Sequence, residues 1–210
     1  MINLLGVIEK RGSMAYFPFF AEMENRKVLI VGSGTIARFK MRTFLDFGAD
    51  VTCISPHPFQ QEGVHCIQKE IESEDLSGFD VVVVATDNHD LNHQISLECR
   101  KLGIPVNAVD QKDDCTFIFP SILHYGNVVA AFSSGGRNPV VTQYMKKQAS
   151  SFIDERLGEI NEKTGMIRDV LMDLKPDERK KIMQALLDEL LSNQETDEEI
   201  MKRYIRCRSE

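Results

Sequence analysis

The sequence predicts an α/β protein: a parallel sheet wound with helices, then a small α+β segment, then a helical C-terminal domain. Three observations carry this reading. The short apolar runs Val28–Val31 and Phe79–Thr86 are rich in valine, as expected of strands covered on both faces of a parallel sheet. Helical spacing follows each run and ends on a glycine, Gly48 in the first case and Gly103 in the second. Past Pro176, Ile182, Met183, Leu186, Leu187, Leu190 and Leu191 form one stripe in a charged helical stretch, a pattern of packing.

Bulk properties limit the function classes. The chain of 210 residues is long enough to bury a core without disulfide staples. Its five cysteines, Cys53, Cys66, Cys99, Cys115 and Cys207, show no C-x-x-C pairing, which fits reduced thiols better than a zinc site or a disulfide framework. Apolar stretches fall short of the roughly 20 residues a bilayer span needs, so a cytoplasmic protein is expected. A net charge of −7 argues against general nucleic-acid binding.

In chain order, residues 1–13 read as an extension and 14–112 as the α/β domain. Strand Val28–Val31 runs into Gly32-Ser33-Gly34-Thr35-Ile36-Ala37, where a helix opens with Ile36, Lys40, Thr43, Phe44 and Phe47 at helical spacing. A second strand, Val51–Ile54, completes a β-α-β unit. Gly32 permits the tight turn, Gly34 lets backbone approach a pyrophosphate, and Ala37 lets the helix pack on the strand: the marks of a Rossmann-type dinucleotide fold. The second strand ends in Ser55-Pro56-His57 without the acidic residue that grips an adenine ribose, so the turn alone leaves NADP open. Ser55 is a candidate ribose partner, and Pro56 and His57 would line the adenosine side. Strand Phe79–Thr86 delivers Thr86 to the ligand edge. A helix over Leu91–Leu102 follows, and strand Pro105–Val109 delivers Asp110 to the same edge. His89 and His93 have metal-like i, i+4 spacing but lack a nearby third ligand, so no metal site is expected. Residues 113–150 read as two strands, Cys115–Pro120 and Asn127–Ser133, joined through Ser121–Gly126. A Ser133-Ser134-Gly135-Gly136-Arg137 turn follows, then a helix from Pro139; residues 151–210 are helical.

The ordered blocks FPFFAEMENRKVLIVGSGTIARFK, VVVVATDNHDLN and PVNAVDQKDDCTFIFPSILHYGNVVAAFSSGGRNPV resemble the precorrin-2 dehydrogenase family, which also occurs as the N-terminal module of fused siroheme synthases. The resemblance spans about Met14 to Met145. It implies an NAD domain, a dimerisation segment over 113–150 and a homodimer. The implied activity is NAD-dependent oxidation of precorrin-2, a tetrapyrrole with eight carboxylates, to sirohydrochlorin. Asp110 matches the family's essential aspartate and is the candidate general acid/base. Thr35, Ile36, Pro56 and His57 match cofactor contacts, and Ser133, Ser134 and Gly135 match a turn lining the tetrapyrrole cleft. An anionic substrate needs local positive charge, for which Arg38, Arg137, Lys146 and Lys147 are candidates. Two alternatives remain open here: a bifunctional enzyme that also inserts iron, with Asp110 and His124 taking pyrrole protons, and a protein that binds dinucleotide or tetrapyrrole without turnover. Precorrin-2 would arrive from another protein, making handover partners an expectation.

Overall fold

A computed structural model describes residues 16–192 and 196–206; the expected extension over 1–13 lies outside the described residues. The chain divides into two compact units after Phe119.

The first unit is built on a five-stranded parallel sheet. Strands β1 (Lys27–Val31), β2 (Asp50–Ser55), β3 (Val64–Gln68), β4 (Val81–Val84) and β5 (Val106–Ala108) lie in the order β3-β2-β1-β4-β5. Alternation along β1 explains why every residue from Val28 to Val31 is buried. Val28 and Ile30 face a core closed by Ala37, Met41 and Phe44 of helix α1 (Thr35–Asp46), whereas Leu29 and Val31 face one closed by Ile95 and Cys99 of helix α2 (His89–Leu102). Helix α2 starts where the Asn88 side chain accepts from Leu91 N at 3.0 Å, and it ends at Gly103 with φ +73°.

Three expectations change. Strand β3 was not anticipated, because VHCIQ is a half-buried edge strand without a strong apolar signature. The strand expected over Phe79–Thr86 pairs only from Val81 to Val84, leaving Thr86 beyond the ladder. Cys115–Pro120 forms no strand; it is laced to β5 through Thr116 N to Val106 O (2.8 Å) and Val106 N to Thr116 Oγ1 (2.7 Å). Its apolar residues are half-buried through their side chains, with Phe119 edge-on to Phe44 at 5.6 Å between ring centroids. The α/β unit therefore runs to Phe119, past the boundary expected after residue 112.

In the second unit, β6 (Ser121–Tyr125) and β7 (Val128–Phe132) form an antiparallel hairpin. The residues expected to connect two strands are thus largely a strand themselves. Helices α3 (Pro139–Ala149), α4 (Glu155–Val170), α5 (Pro176–Ser192) and α6 (Asp197–Arg206) follow. Asn138 and Asp154 cap α3 and α4, with Pro139 at the first position of α3. Leu186 and Leu190 are the fully buried part of the expected α5 stripe; they pack with Ile160, Ile167, Leu171 and Ile200, while Leu191 is exposed. Helix α4 meets the hairpin at Gly158, where an added Cβ would lie 2.8 Å from Tyr125 O. No helix of the described residues is long and apolar enough to cross a membrane.

Candidate functional site

The carboxyl end of the parallel sheet gathers most of the singled-out residues. The chain leaves β1 at Gly32, whose φ of +106° and whose close approach to Ala85 O, 2.4 Å from any added Cβ, admit only glycine. Gly34 occupies the N-cap of α1 with extended backbone, and an added Cβ there would meet nothing within 4 Å. The helix has no side-chain cap and no acidic residue in its first turn. Its positive end is therefore not neutralised by the chain's own carboxylates, the electrostatics suited to a phosphate. Thr35 and Ile36 are exposed on that first turn, Ile36 by 48%.

The neighbouring loop is braced from behind. Ser55 is only 2% exposed, and its hydroxyl lies 3.0 Å from Ser33 Oγ and accepts from His57 N at 3.2 Å. This differs from the expectation of a ribose partner: the hydroxyl is turned inward to join the glycine turn to the loop after β2. Pro56 and His57 remain exposed. Arg38, expected as a free positive charge, is also committed. It donates to Ser33 O (3.0 Å) and Gln60 O (3.4 Å), and its guanidinium lies 5.2 Å from the Phe59 ring centroid. Thr86 similarly uses its hydroxyl locally, donating to Asn92 Oδ1 (2.5 Å) and accepting from Asn88 N (3.2 Å).

Asp110 follows β5 at the same sheet edge. It is exposed and adopts φ +60°, a left-handed conformation uncommon outside glycine and asparagine. The adjoining turn is tied down on two sides. Cys115 Sγ contacts Ala108 N (3.3 Å), Ala108 O (3.2 Å) and Gln111 O (3.4 Å); Gln111 Nε2 donates to His89 O (3.0 Å) and Asp114 Oδ2 (3.2 Å). His93 Nδ1 lies 2.7 Å from Asp114 Oδ1, so this histidine anchors the turn to α2. No group of three or more histidine, cysteine, aspartate or glutamate residues suited to a metal occurs among the described residues.

Sequence reasoning placed Lys40 only on a helical face and missed its environment. Lys40 is 7% exposed, hydrogen-bonds Asn107 Oδ1, and places Nζ 4.6 Å from the Phe119 ring centroid. Burial pulls its pKa down to about 8, partly opposed by Cys115 and by the carboxylate of Asp110. The available signal was a lysine inside the stripe Ala37, Met41, Phe44, a position that otherwise takes apolar residues. The thiols show the opposite behaviour of reactive cysteines: burial pushes Cys53 up to about 12 and Cys99 up to about 11.

Ser133, Ser134, Gly135 and Arg137 lie in the second unit, in a turn that is internally bonded. Gly135 N donates to Ser133 Oγ (3.1 Å), and Ser134 Oγ accepts from Asn138 N and donates to Asn138 O, both at 2.9 Å. Arg137 is exposed. Lys146 and Lys147 fall in the last turn of α3, and His124 in β6.

With this geometry in view, the relationships are consistent. Residues 19–121 match a family described as putative NAD(P)-binding. The chain is 35% identical over 162 residues to siroheme synthase 2 of Aeromonas hydrophila, covering 74% of this chain and 34% of that protein. It is 32% identical over 200 residues to the siroheme synthase of Azotobacter vinelandii, covering 89% of this chain and 43% of that protein. Its fold matches a solved structure titled SirC, precorrin-2 dehydrogenase, with a TM-score of 0.71 and 21% identity, covering 91% of this chain and 100% of the other. The chain spans well under half the length of the siroheme synthases it matches.

Proposed function

We propose that this chain oxidises precorrin-2 to sirohydrochlorin with NAD, in siroheme biosynthesis. The observation that carries the reading is the pairing, at one sheet edge, of an open glycine turn at the α1 N-terminus with Asp110 held in a left-handed turn. The cradle fits a dinucleotide, because Gly32 and Gly34 leave the approach to α1 clear and its first turn carries no carboxylate. Gly32, Gly34, Thr35 and Ile36 would hold the pyrophosphate, Pro56 and His57 the adenosine side, and Thr86 the edge of β4. Bound there, the nicotinamide ring supplies a hydride acceptor. Arg38 favours NAD over NADP: its guanidinium already serves two carbonyls and the Phe59 ring, leaving it poorly placed for a 2′-phosphate.

Oxidation of the substrate removes a hydride and one proton. Asp110 is an exposed carboxylate available to take that proton at the sheet edge. Ser133, Ser134, Gly135 and Arg137 are candidate partners for the substrate's carboxylates. Helix α3 exposes Val140 by 72% and Tyr144 by 63%, an apolar face that supports homodimer formation. The four described cysteines are free thiols, in keeping with a cytoplasmic setting.

The test is anaerobic incubation of the purified chain with precorrin-2 and NAD, following NADH fluorescence and the tetrapyrrole spectrum. NADH and sirohydrochlorin should form together, and Asp110→Asn should lower kcat by about 10² to 10⁴-fold with NAD binding retained. Binding of both compounds without product would replace the enzyme reading with a carrier one.

A further inference from the structure

Resting on the reading of Asp110 as the proton-handling carboxylate, we propose that Asp114, in the same turn, is its positioning residue: its carboxylate ties the turn to His93 of α2 and so holds Asp110 where it can take a proton. The two aspartates differ in their surroundings. Asp110 is exposed, whereas the Asp114 side chain is 15% exposed and uses both oxygens inside the chain. Oδ1 lies 2.7 Å from His93 Nδ1, which must carry the proton because a carboxylate only accepts. Oδ2 accepts from Gln111 Nε2 at 3.2 Å, and the same nitrogen donates to His89 O at 3.0 Å in the first turn of α2.

Gln111 is the residue next to Asp110, so these bonds bear on the chemistry. An aspartate at φ +60° relaxes toward extended backbone unless its neighbours are fixed. On one side, Val109 N donates to Val84 O at 2.9 Å and fixes the chain to β4. On the other, Gln111 is fixed by its side chain through Asp114 and by its carbonyl, which accepts from Asp114 N at 3.1 Å. The far end of the turn is braced separately, where Arg100 donates to Asp113 O (2.8 Å) and Cys115 O (3.3 Å). Among the described residues, Asp114 is the carboxylate that joins this turn to a side chain of α2.

Two variants and two readouts test the assignment. Asp114→Ala removes both contacts; His93→Leu removes one at an exposed side chain, and decides the matter if Asp114→Ala does not fold. With rates taken per NAD-binding site counted by calorimetry, Asp114→Ala should lower kcat about tenfold or more and His93→Leu about threefold, the KM for NAD staying within about twofold. His93→Asn, whose amide nitrogen can occupy the place of Nδ1, should recover most of the rate. Amide hydrogen exchange over residues 109–115 should quicken about fivefold or more in Asp114→Ala and His93→Leu, and not in His93→Asn. Wild-type kcat in both variants, or a slowed enzyme with unchanged exchange over the turn, would overturn the role. So would fewer NAD-binding sites with a wild-type rate at each, the mark of a merely structural residue. If the wild type forms no NADH from precorrin-2, the proposed function fails, while the exchange comparison still decides whether Asp114 holds the turn.

Discussion

Lys40 in the α/β unit and Asp197 in the helical unit are both largely shielded charges, yet their surroundings are opposite. Asp197 accepts from Arg156 at 2.5 and 2.6 Å and also pairs with Lys163, while Arg156 donates to Leu190 O at 3.0 Å. These partners hold the Asp197 carboxyl well below the usual carboxylate range, and they tie α4, α5 and α6 together. Lys40 instead has an amide oxygen and an aromatic ring in contact, and its pKa is depressed by burial. One charge is stabilised by its neighbours and belongs to the framework. The other is kept under strain beside the candidate chemistry, where perturbed groups tend to collect.

The largest expected effect concerns the rigidity of the α/β unit. Gly32→Ala should cost about 3 kcal/mol or more, since it combines a left-handed φ with a Cβ 2.4 Å from Ala85 O. A urea titration showing a loss below about 1 kcal/mol would mean that this turn yields, removing one contrast with the second unit.

Next is the clasp. Asp197→Asn should destabilise the chain by about 2 kcal/mol at pH 7, because two cations lose their carboxylate and the pair is only partly solvent-screened. The sign in pH follows from a lowered folded-state pKa: the stabilisation is complete above the ordinary carboxylate range and is lost as pH falls below it. Wild type and variant should therefore converge in thermal melts taken in acid. A gap that persists at low pH would assign the effect to packing.

The smallest expected effect is at Lys40. Lys40→Met should change stability at pH 7 by only about 1 kcal/mol in either direction, since relief of the buried charge is offset by an unpaired Asn107 Oδ1. Its pH dependence is the sharper observable. Between about 8 and the ordinary value of 10.5, the unfolded chain binds the proton that the folded chain has released, so wild-type stability rises with pH. The wild type should gain on the variant from pH 8 to 10; a constant difference would place Lys40 with Asp197 as an ordinary structural charge.

Legibility followed the same division. The turn from β1 to α1, the glycine stop after α2 and the start of α3 at Pro139 were readable, because each depends on local backbone chemistry. Strand β3 was not, being a half-buried edge. Cys115–Pro120 misled because apolar content reveals burial without revealing whether backbone or side chains make the contact: Phe119 packs on α1 without extending the ladder. At the candidate site, the sequence located Asp110 and the glycines but not the inward turn of Ser55 or the partners of Lys40. Those depend on contacts across 22 and 67 residues, beyond the reach of spacing.

Helix α1 has a further consequence. Gly34 caps its start and Lys40 lies six residues on, so the interval between the open turn and the buried cation is set by helix pitch. One inserted residue would rotate Lys40 by about 100° and turn it out of its place beside Asn107. The interval itself is therefore a signature: in an unfamiliar chain, a glycine turn followed at that distance by a lysine among apolar residues would point to the same buried charge before any coordinates were known.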